Sequence, residues 1–207
     1  MKNEYRLVVL SGPSGSGKDT VVGRLMRQRS DIALSVSCTT RNPREGEREG
    51  VDYHFLDEAQ FEERIAPGKM LEYTRYAGHY YGTPMDEIER KLHDDTTVVL
   101  IIEVTGAKNV KRLCPDSLCI FLVPPSLEVL EQRLRARRTE SEEQIRRRLG
   151  IAAQEMQKRF LFDHTVVNDV ADECAREMGR IIDEWQEKYK DMQKTGKIWE
   201  KDVDEVQ

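Results

Sequence analysis

Several features of membrane and secreted proteins are missing from this chain. None of its apolar runs, such as 98–102 and 119–125, approaches the roughly 20 residues that a transmembrane helix needs. Residues 1–12 contain too few apolar positions for a signal peptide. The four cysteines have neither metal-ligand spacing nor the density of a disulfide framework. These absences predict a reduced, cytoplasmic protein with no membrane partner.

An excess of positive charge is also missing. The chain has 33 Lys and Arg against 38 Asp and Glu, a formal net charge of −5, which disfavours nucleic acid as a partner. The charge is uneven, because residues 133–149 contain seven Arg and three Glu. Such a cluster in an acidic protein is typical of a site for a small anionic ligand. A solvated helix face with alternating charges is the alternative interpretation.

Short apolar runs alternate with stretches of helical periodicity through most of the chain. The predicted strands are 6–10, 98–102, 118–123 and 165–167, and the predicted helices are 18–29, 106–113, 126–138, 141–160 and 172–189. Continuous apolar strands that alternate with helices indicate a parallel sheet covered on both faces. Residues 35–81 differ, because their shorter, half-apolar runs and turn residues predict a small inserted mixed sheet.

A glycine-rich loop gives the first chemical signal. Residues 12–18, GPSGSGK, fit the pattern G-x-x-x-x-G-K and lie between an apolar strand and an amphipathic helix. In such a loop, backbone N–H groups and the helix N-terminus bind phosphate oxygens, and Lys18 reaches the β- and γ-phosphates. Position 19 is Asp where Ser or Thr would normally offer a hydroxyl to Mg²⁺. Asp19 and Thr20 are therefore both candidate metal ligands, with Mg²⁺ held mainly by the ATP phosphates.

Downstream motifs resemble one family. Residues 35–47 (SVSCTTRNPREGE), 50–55 (GVDYHF), 71–73 (LEY) and 78–84 (GHYYGTP) resemble the acceptor-site motifs of guanylate kinases. Residues 137–149 resemble the lid of that family and 166–169 its adenine-side loop, so the resemblance runs from Leu7 to about Asp169. It implies a three-layer α/β P-loop kinase fold with a parallel core sheet, an inserted small mixed-β GMP-binding subdomain and a helical lid. The implied segments are core 1–35, GMP-binding subdomain 36–92, core 93–130, lid 131–150, core 151–190 and a polar tail 191–207.

The resemblance also implies a site for guanosine monophosphate. Arginine and tyrosine side chains suit a phosphate dianion, and a carboxylate at Glu72 complements the N1–H and N2 donors of guanine. Hydroxyl groups at Ser37 and Thr83 complement guanine O6. The implied GMP-binding residues are Ser37, Arg41, Arg44, Tyr53, Glu72, Tyr81, Thr83 and Glu103.

For the donor side and the chemical step, the resemblance implies cations around two anions that repel each other. The implied catalytic residues are Lys18, Arg44, Arg137 and Arg148. The implied ATP-binding residues are Gly12, Pro13, Ser14, Gly15, Ser16, Gly17, Lys18, Asp19, Thr20, Arg133 and Asn168. The expected reaction transfers the γ-phosphate of ATP, bound with Mg²⁺, to GMP or dGMP. The sequence does not fix the oligomeric state.

The middle strand departs from the family pattern. Ile101 stands where the family usually has an acid and Thr105 where it has Gln. These departures keep two alternatives open. One is a kinase of another phosphorylated small molecule, such as a ribose bisphosphate, although such kinases lack the T-T-R-x-P-R motif. The other is a non-catalytic binding module, which the retained Lys18 and lid arginines disfavour.

Overall fold

A computed structural model describes residues 6–76, 78–92, 96–136 and 141–195. Its strands are β1 (Leu7–Ser11), β2 (Ile32–Leu34), β3 (Cys38–Thr39), β4 (His54–Phe55), β5 (Met70–Tyr76), β6 (His79–Pro84), β7 (Thr97–Ile101), β8 (Leu118–Val123) and β9 (His164–Val167). Its helices are α1 (Lys18–Gln28), α2 (Glu58–Arg64), α3 (Met85–Lys91), α4 (Val104–Leu113), α5 (Leu127–Ala136), α6 (Glu142–Met156) and α7 (Ala171–Thr195). Among these helices, none combines the length and hydrophobicity needed to span a bilayer.

The core is a five-stranded parallel sheet in the order β2-β7-β1-β8-β9. Every residue of β1 is buried, because helices cover both faces of the sheet. On one face, α1 and α7 pack through side chains such as Leu25 and Ile182. On the other face, α3 and α4 pack through Ile88 and Val110. This arrangement confirms the predicted three-layer α/β fold.

A second, four-stranded sheet in the order β4-β3-β6-β5 is built from residues 38–84. β3 pairs in parallel with β4 and antiparallel with β6, so the sheet is mixed, as predicted. Two helices within residues 36–92, α2 and α3, were not predicted. Both are only seven residues long, and α2 buries a single large apolar side chain, Phe61, so neither shows helical periodicity. The capping box of Asp57 and Gln60 was the available signal for α2.

The ends of two predicted helices need correction, and one further strand was not predicted. α6 ends at Met156 and a 3-10 helix follows at Arg159–Leu161, so the helix predicted over 141–160 is too long. α7 continues to Thr195, past the predicted start of the polar tail at 191. The three-residue strand β2 was missed because it is too short to show a pattern. Residues 196–207 of the predicted tail lie outside the described residues.

Candidate active site

The glycine-rich loop leaves the centre of the core sheet at the end of β1 and leads into α1. Its backbone requires glycine at two points. Gly12 has φ 145°, and a Cβ there would lie 2.1 Å from the carbonyl oxygen of Leu122. Gly17 has φ 94°, and a Cβ there would lie 2.4 Å from Nδ2 of Asn168. The loop therefore takes a shape that side chains at these positions would prevent.

The start of α1 brings positive charge to the loop. Lys18 is the first residue of the helix, and its Nζ donates hydrogen bonds to the carbonyls of Gly12 (2.6 Å) and Pro13 (3.2 Å). The N–H groups of the first turn have no acceptors within the helix, and the helix dipole adds a partial positive charge there. Lys18, Asp19 and Thr20 all line a cleft beside the loop. This end of α1 is suited to bind phosphate oxygens.

The same cleft reaches from the glycine-rich loop to the second sheet. Its walls include thirteen of the residues expected from the sequence. They are Ser14, Gly15, Gly17, Lys18, Asp19, Thr20, Ser37, Arg41, Arg44, Tyr53, Glu72, Tyr81 and Glu103. One cavity thus brings the expected donor and acceptor residues together.

On the acceptor side, two arginines share one carboxylate. Arg41 donates from Nη2 to Oε1 of Glu47 at 2.9 Å, and the backbone N–H of Arg44 donates to Oε2 of the same residue at 2.7 Å. The Arg41 guanidinium also lies 5.4 Å from the ring centroid of Tyr53. Glu47 is part of the motif at residues 35–47, but it was not predicted as a site residue. It holds the turn that carries both arginines.

Three tyrosine rings line the wall next to these arginines. The ring of Tyr81 lies edge-on to Tyr53, with centroids 6.1 Å apart, and edge-on to Tyr76, at 6.3 Å. Burial, with a smaller contribution from the Asp19 carboxylate, raises the pKa of Tyr53 to about 12. The Tyr53 hydroxyl is therefore a hydrogen-bond donor at neutral pH.

Glu72 is the most buried acid of the cleft, with 5% of its surface exposed. It lies in β5 opposite Thr83 of β6, and its Oε1 accepts a 2.9 Å hydrogen bond from the Thr83 hydroxyl. Oε2 is buried without a hydrogen-bond partner among the described residues. Burial raises the pKa of Glu72 to about 7, although the bonds from Thr83 oppose the shift. A ligand that donates hydrogen bonds to this carboxylate would stabilise its charge.

Comparison with known proteins agrees with this geometry. The family model described as guanylate kinase matches residues 4–185. A guanylate kinase of Prochlorococcus marinus is 46% identical over 88% of this chain and 99% of its own. A guanylate kinase of Shouchella clausii is 42% identical over 90% of this chain and 97% of its own. The crystal structure of guanylate kinase from Anaplasma phagocytophilum superposes with a TM-score of 0.71 at 31% identity, over 86% of this chain and 84% of that one.

The chain belongs to the guanylate kinase family. The resemblance found in the sequence is thus confirmed, and so is the expectation that the protein is a kinase.

Three residues expected in the site of this guanylate kinase family member, Thr83, Arg133 and Asn168, do not line the cleft. The hydroxyl of Thr83 donates its hydrogen bond to Glu72. The Asn168 side chain is buried behind the glycine-rich loop and donates from Nδ2 to the Ser16 carbonyl at 2.7 Å. Arg133 donates from Nη2 to the carbonyls of Asn168 (2.9 Å) and Asp169 (3.2 Å). Asn168 thus supports the glycine-rich loop directly, and Arg133 supports it through the backbone of Asn168.

Two further arginines, besides Arg133, are expected from the family lid. Arg148 lies on α6 and donates from Nη2 to Oγ of Ser14 in the glycine-rich loop, at 2.6 Å. Arg137 lies outside the described residues.

Sequence reasoning missed several residues of the cleft wall, among them Thr74 and Tyr76. Both lie on β5 at the two-residue spacing that places alternate side chains on the same face as Glu72. That alternation was the available signal. Ile101 was noted only as a departure from the family pattern, yet it lines the cleft together with Asp19.

Further acids surround Lys18. Burial raises the pKa of Glu103, an effect that the nearby Lys18 ammonium opposes. Burial, together with the charge of Glu103, raises the pKa of Glu155 on α6 to about 7. Glu155 was not predicted, because its position shows no motif. Bound phosphates would meet Lys18 in the neighbourhood of these two acids.

Oxygen donors for a divalent cation are present but few. The exposed residues Asp19 and Thr20 lie at the start of α1 and line the cleft. The described residues contain no group of three or more acids, histidines or cysteines arranged to hold a metal ion. This donor set fits Mg²⁺, which commonly binds one or two protein oxygens together with substrate phosphates and water.

Proposed function

We propose that this protein transfers the γ-phosphate of ATP to GMP, and also to dGMP, giving ADP and GDP. The observation that carries the proposal is the single cleft, which joins a phosphate loop to a wall containing Arg41, Arg44 and the buried Glu72. An ATP-binding loop alone is consistent with many kinases. A buried carboxylate in the same cleft as two arginines fits a purine monophosphate whose base donates hydrogen bonds.

The acceptor is recognised at its two ends. At the phosphate end, Arg41, Arg44, Tyr53 and Tyr81 donate hydrogen bonds to the dianion, and the arginines neutralise its charge. At the base end, Glu72 in its ionised form accepts from N1–H and the N2 amine of guanine. The hydroxyl group of Ser37 is assigned to O6 and Glu103 to the amine side, whereas the Thr83 hydroxyl donates to Glu72 and positions its carboxylate. Adenine lacks these donors, so it would leave the buried carboxylate unpaired.

The chemical step needs positioning and neutralisation more than proton transfer. The acceptor phosphate is already anionic, so no general base is required. An oxygen of GMP attacks the γ-phosphorus of ATP, the bond to the β-γ bridging oxygen breaks, and ADP leaves. Lys18, Arg44, Arg148 and Arg137 neutralise the charge that develops on the transferred group. The bond from Arg148 to Ser14 supports this role, because it brings a guanidinium group of α6 to the glycine-rich loop.

Mg²⁺ bound to ATP would neutralise charge on the β- and γ-phosphates. Asp19 and Thr20 are the residues that would bind it, directly or through water, and they fit as oxygen donors at the mouth of the loop. We assign residues 131–150 to a lid that closes over ATP and excludes water, and residues 36–92 to the GMP-binding subdomain.

The test is an ADP-release assay with ATP and Mg²⁺, in which GMP, dGMP, AMP, UMP and the phosphorylated ribose precursor of a ribose bisphosphate are compared as acceptors. The proposal expects turnover with GMP and dGMP at least about 100-fold above that with AMP or UMP. A Lys18→Met variant serves as the control for contaminating kinases. Turnover only with the ribose phosphate, or with none of the five acceptors, would overturn the proposal.

A further inference from the structure

Helix α4 approaches the Glu72 carboxylate at a glycine. Gly106 is the third residue of α4 and is buried. A Cβ built at Gly106 would lie 2.6 Å from Oε2 of Glu72 and 3.1 Å from its Cδ. Real Cβ atoms essentially never come as close as the shorter distance. Any side chain at position 106 would therefore displace the carboxylate.

A second contact holds the carboxylate in place. Its other oxygen is held by the Thr83 hydroxyl at 2.9 Å. Glu72 is thus fixed by Thr83 on one side and by the backbone of α4 at Gly106 on the other. A methyl group at position 106 would break this arrangement, because it would occupy the space that Oε2 of Glu72 takes now.

The position of Gly106 also bears on the charge of Glu72. The residue lies in the first turn of α4, where the helix dipole places partial positive charge. Close approach of Glu72 to this turn favours the ionised carboxylate, which burial disfavours. The same glycine therefore influences both where the carboxylate lies and how readily it ionises.

We propose that Gly106 is a positioning residue for recognition of the purine base: its missing side chain lets the Glu72 carboxylate lie against the first turn of α4, in the wall of the cleft that takes the base. The inference rests on the proposed function for the identity of the base as guanine. Gly106 touches no substrate in this account, and it acts only through Glu72.

The test compares Gly106→Ala with Gly23→Ala. Gly23 is a matched control, because it is also a helical glycine and a Cβ there would meet no atom within 4 Å. GMP affinity is measured by calorimetry, and KM values for GMP and ATP by steady-state kinetics. Gly106→Ala is expected to weaken GMP binding and raise the KM for GMP by about 10-fold or more, with the KM for ATP unchanged. Gly23→Ala is expected to match the wild type in all three quantities.

A Glu72→Ala background separates positioning from a general structural effect. With no carboxylate to meet, Gly106→Ala should leave the weakened kcat/KM for GMP of Glu72→Ala unchanged. The inference would be overturned if Gly106→Ala lowered kcat/KM for GMP by the same factor with and without the Glu72 carboxylate. Wild-type GMP affinity in Gly106→Ala would also overturn it. If Gly106→Ala does not fold, recovery of folding in the double variant supports the contact, and failure of the double variant overturns it. Wild-type protein that binds no GMP would overturn the proposed function itself.

Discussion

Nη2 of Arg148 lies 2.6 Å from Oγ of Ser14, so a residue of α6 is hydrogen-bonded to the phosphate loop 134 positions earlier in the chain. The bond places a guanidinium group beside the residues expected to bind the phosphates of ATP. In the proposed reaction, the same group moves a short distance to neutralise the transferred phosphoryl group. Arg148 is therefore the described lid residue whose removal should affect the chemical step most.

Replacement of Arg148 by Ala should lower kcat by about 10²- to 10³-fold, because one preorganised donor to the transition state is lost. The KM for GMP should change little, since Arg148 contacts the donor side. Arg147→Ala is the matched control, because Arg147 lies next to Arg148 on α6 but is exposed. The measurement is steady-state kinetics with both substrates varied. Equal losses in the two variants would contradict the role given to Arg148.

Recognition of GMP should depend on pH through Glu72. The pKa of about 7 means that much of this carboxyl group is protonated below neutral pH in the free protein. The ionised form accepts hydrogen bonds from guanine, so the KM for GMP should fall as pH rises from about 6 to about 8, by up to about tenfold per unit below the pKa.

The matched control for this pH dependence is Glu72→Gln. It cannot ionise, but it experiences the same titration of the GMP phosphate. Its KM for GMP should be high, and once the phosphate titration is accounted for it should not vary with pH. Parallel pH profiles for wild type and Glu72→Gln would rule out titration of Glu72 as the cause.

Asn168 should act on ATP binding from behind the phosphate loop. Replacement by Ala removes the 2.7 Å bond from Nδ2 to the Ser16 carbonyl and leaves that buried acceptor without this partner, at a cost of about 1–3 kcal/mol. The variant should show a KM for ATP raised by about 10-fold and an unchanged KM for GMP. Thermal unfolding should report a lower Tm. A raised KM for GMP with a normal KM for ATP would contradict the assignment of Asn168 to ATP binding.

Asp19 should compensate for the acid that is absent at Ile101. Both side chains line the cleft beside the phosphate loop, so a carboxylate at either position could face a Mg²⁺ ion bound to ATP. Asp19→Ser should raise the Mg²⁺ concentration for half-maximal turnover by about 10-fold. Adding Ile101→Asp to this variant should return the Mg²⁺ concentration for half-maximal turnover to the wild-type value. An unchanged Mg²⁺ dependence in Asp19→Ser would show that the substitution at position 19 is neutral.

The sequence predicted the core elements best where a pattern of consecutive residues determines the structure. Strand β8 was predicted with its observed ends, because six consecutive apolar residues buried on both faces leave a clear pattern. The glycine-rich loop was equally clear, since its spacing is dictated by backbone geometry. Short elements gave no such pattern, so β2, α2 and α3 were missed.

The site was predictable to the extent that motifs carry it. The contacts that complete it join residues far apart in the chain, as Gly106 joins Glu72 and Arg148 joins Ser14. Such pairs depend on how helices pack against sheets, and a single sequence does not reveal that packing. The assignment of Thr83 illustrates the limit. Its hydroxyl was expected to face guanine, whereas in the structure it holds Glu72.

The central claim is that the buried Glu72 carboxylate selects guanine. The most direct measurement is kcat/KM for GMP and for AMP in wild type and in Glu72→Gln, which preserves size and can still accept the Thr83 hydrogen bond. The account predicts a wild-type preference for GMP of about 10⁴-fold. It also predicts a loss of at least about 100-fold in kcat/KM for GMP in the variant, with kcat/KM for AMP unchanged. A Glu72→Gln protein that keeps the wild-type preference for GMP would contradict it.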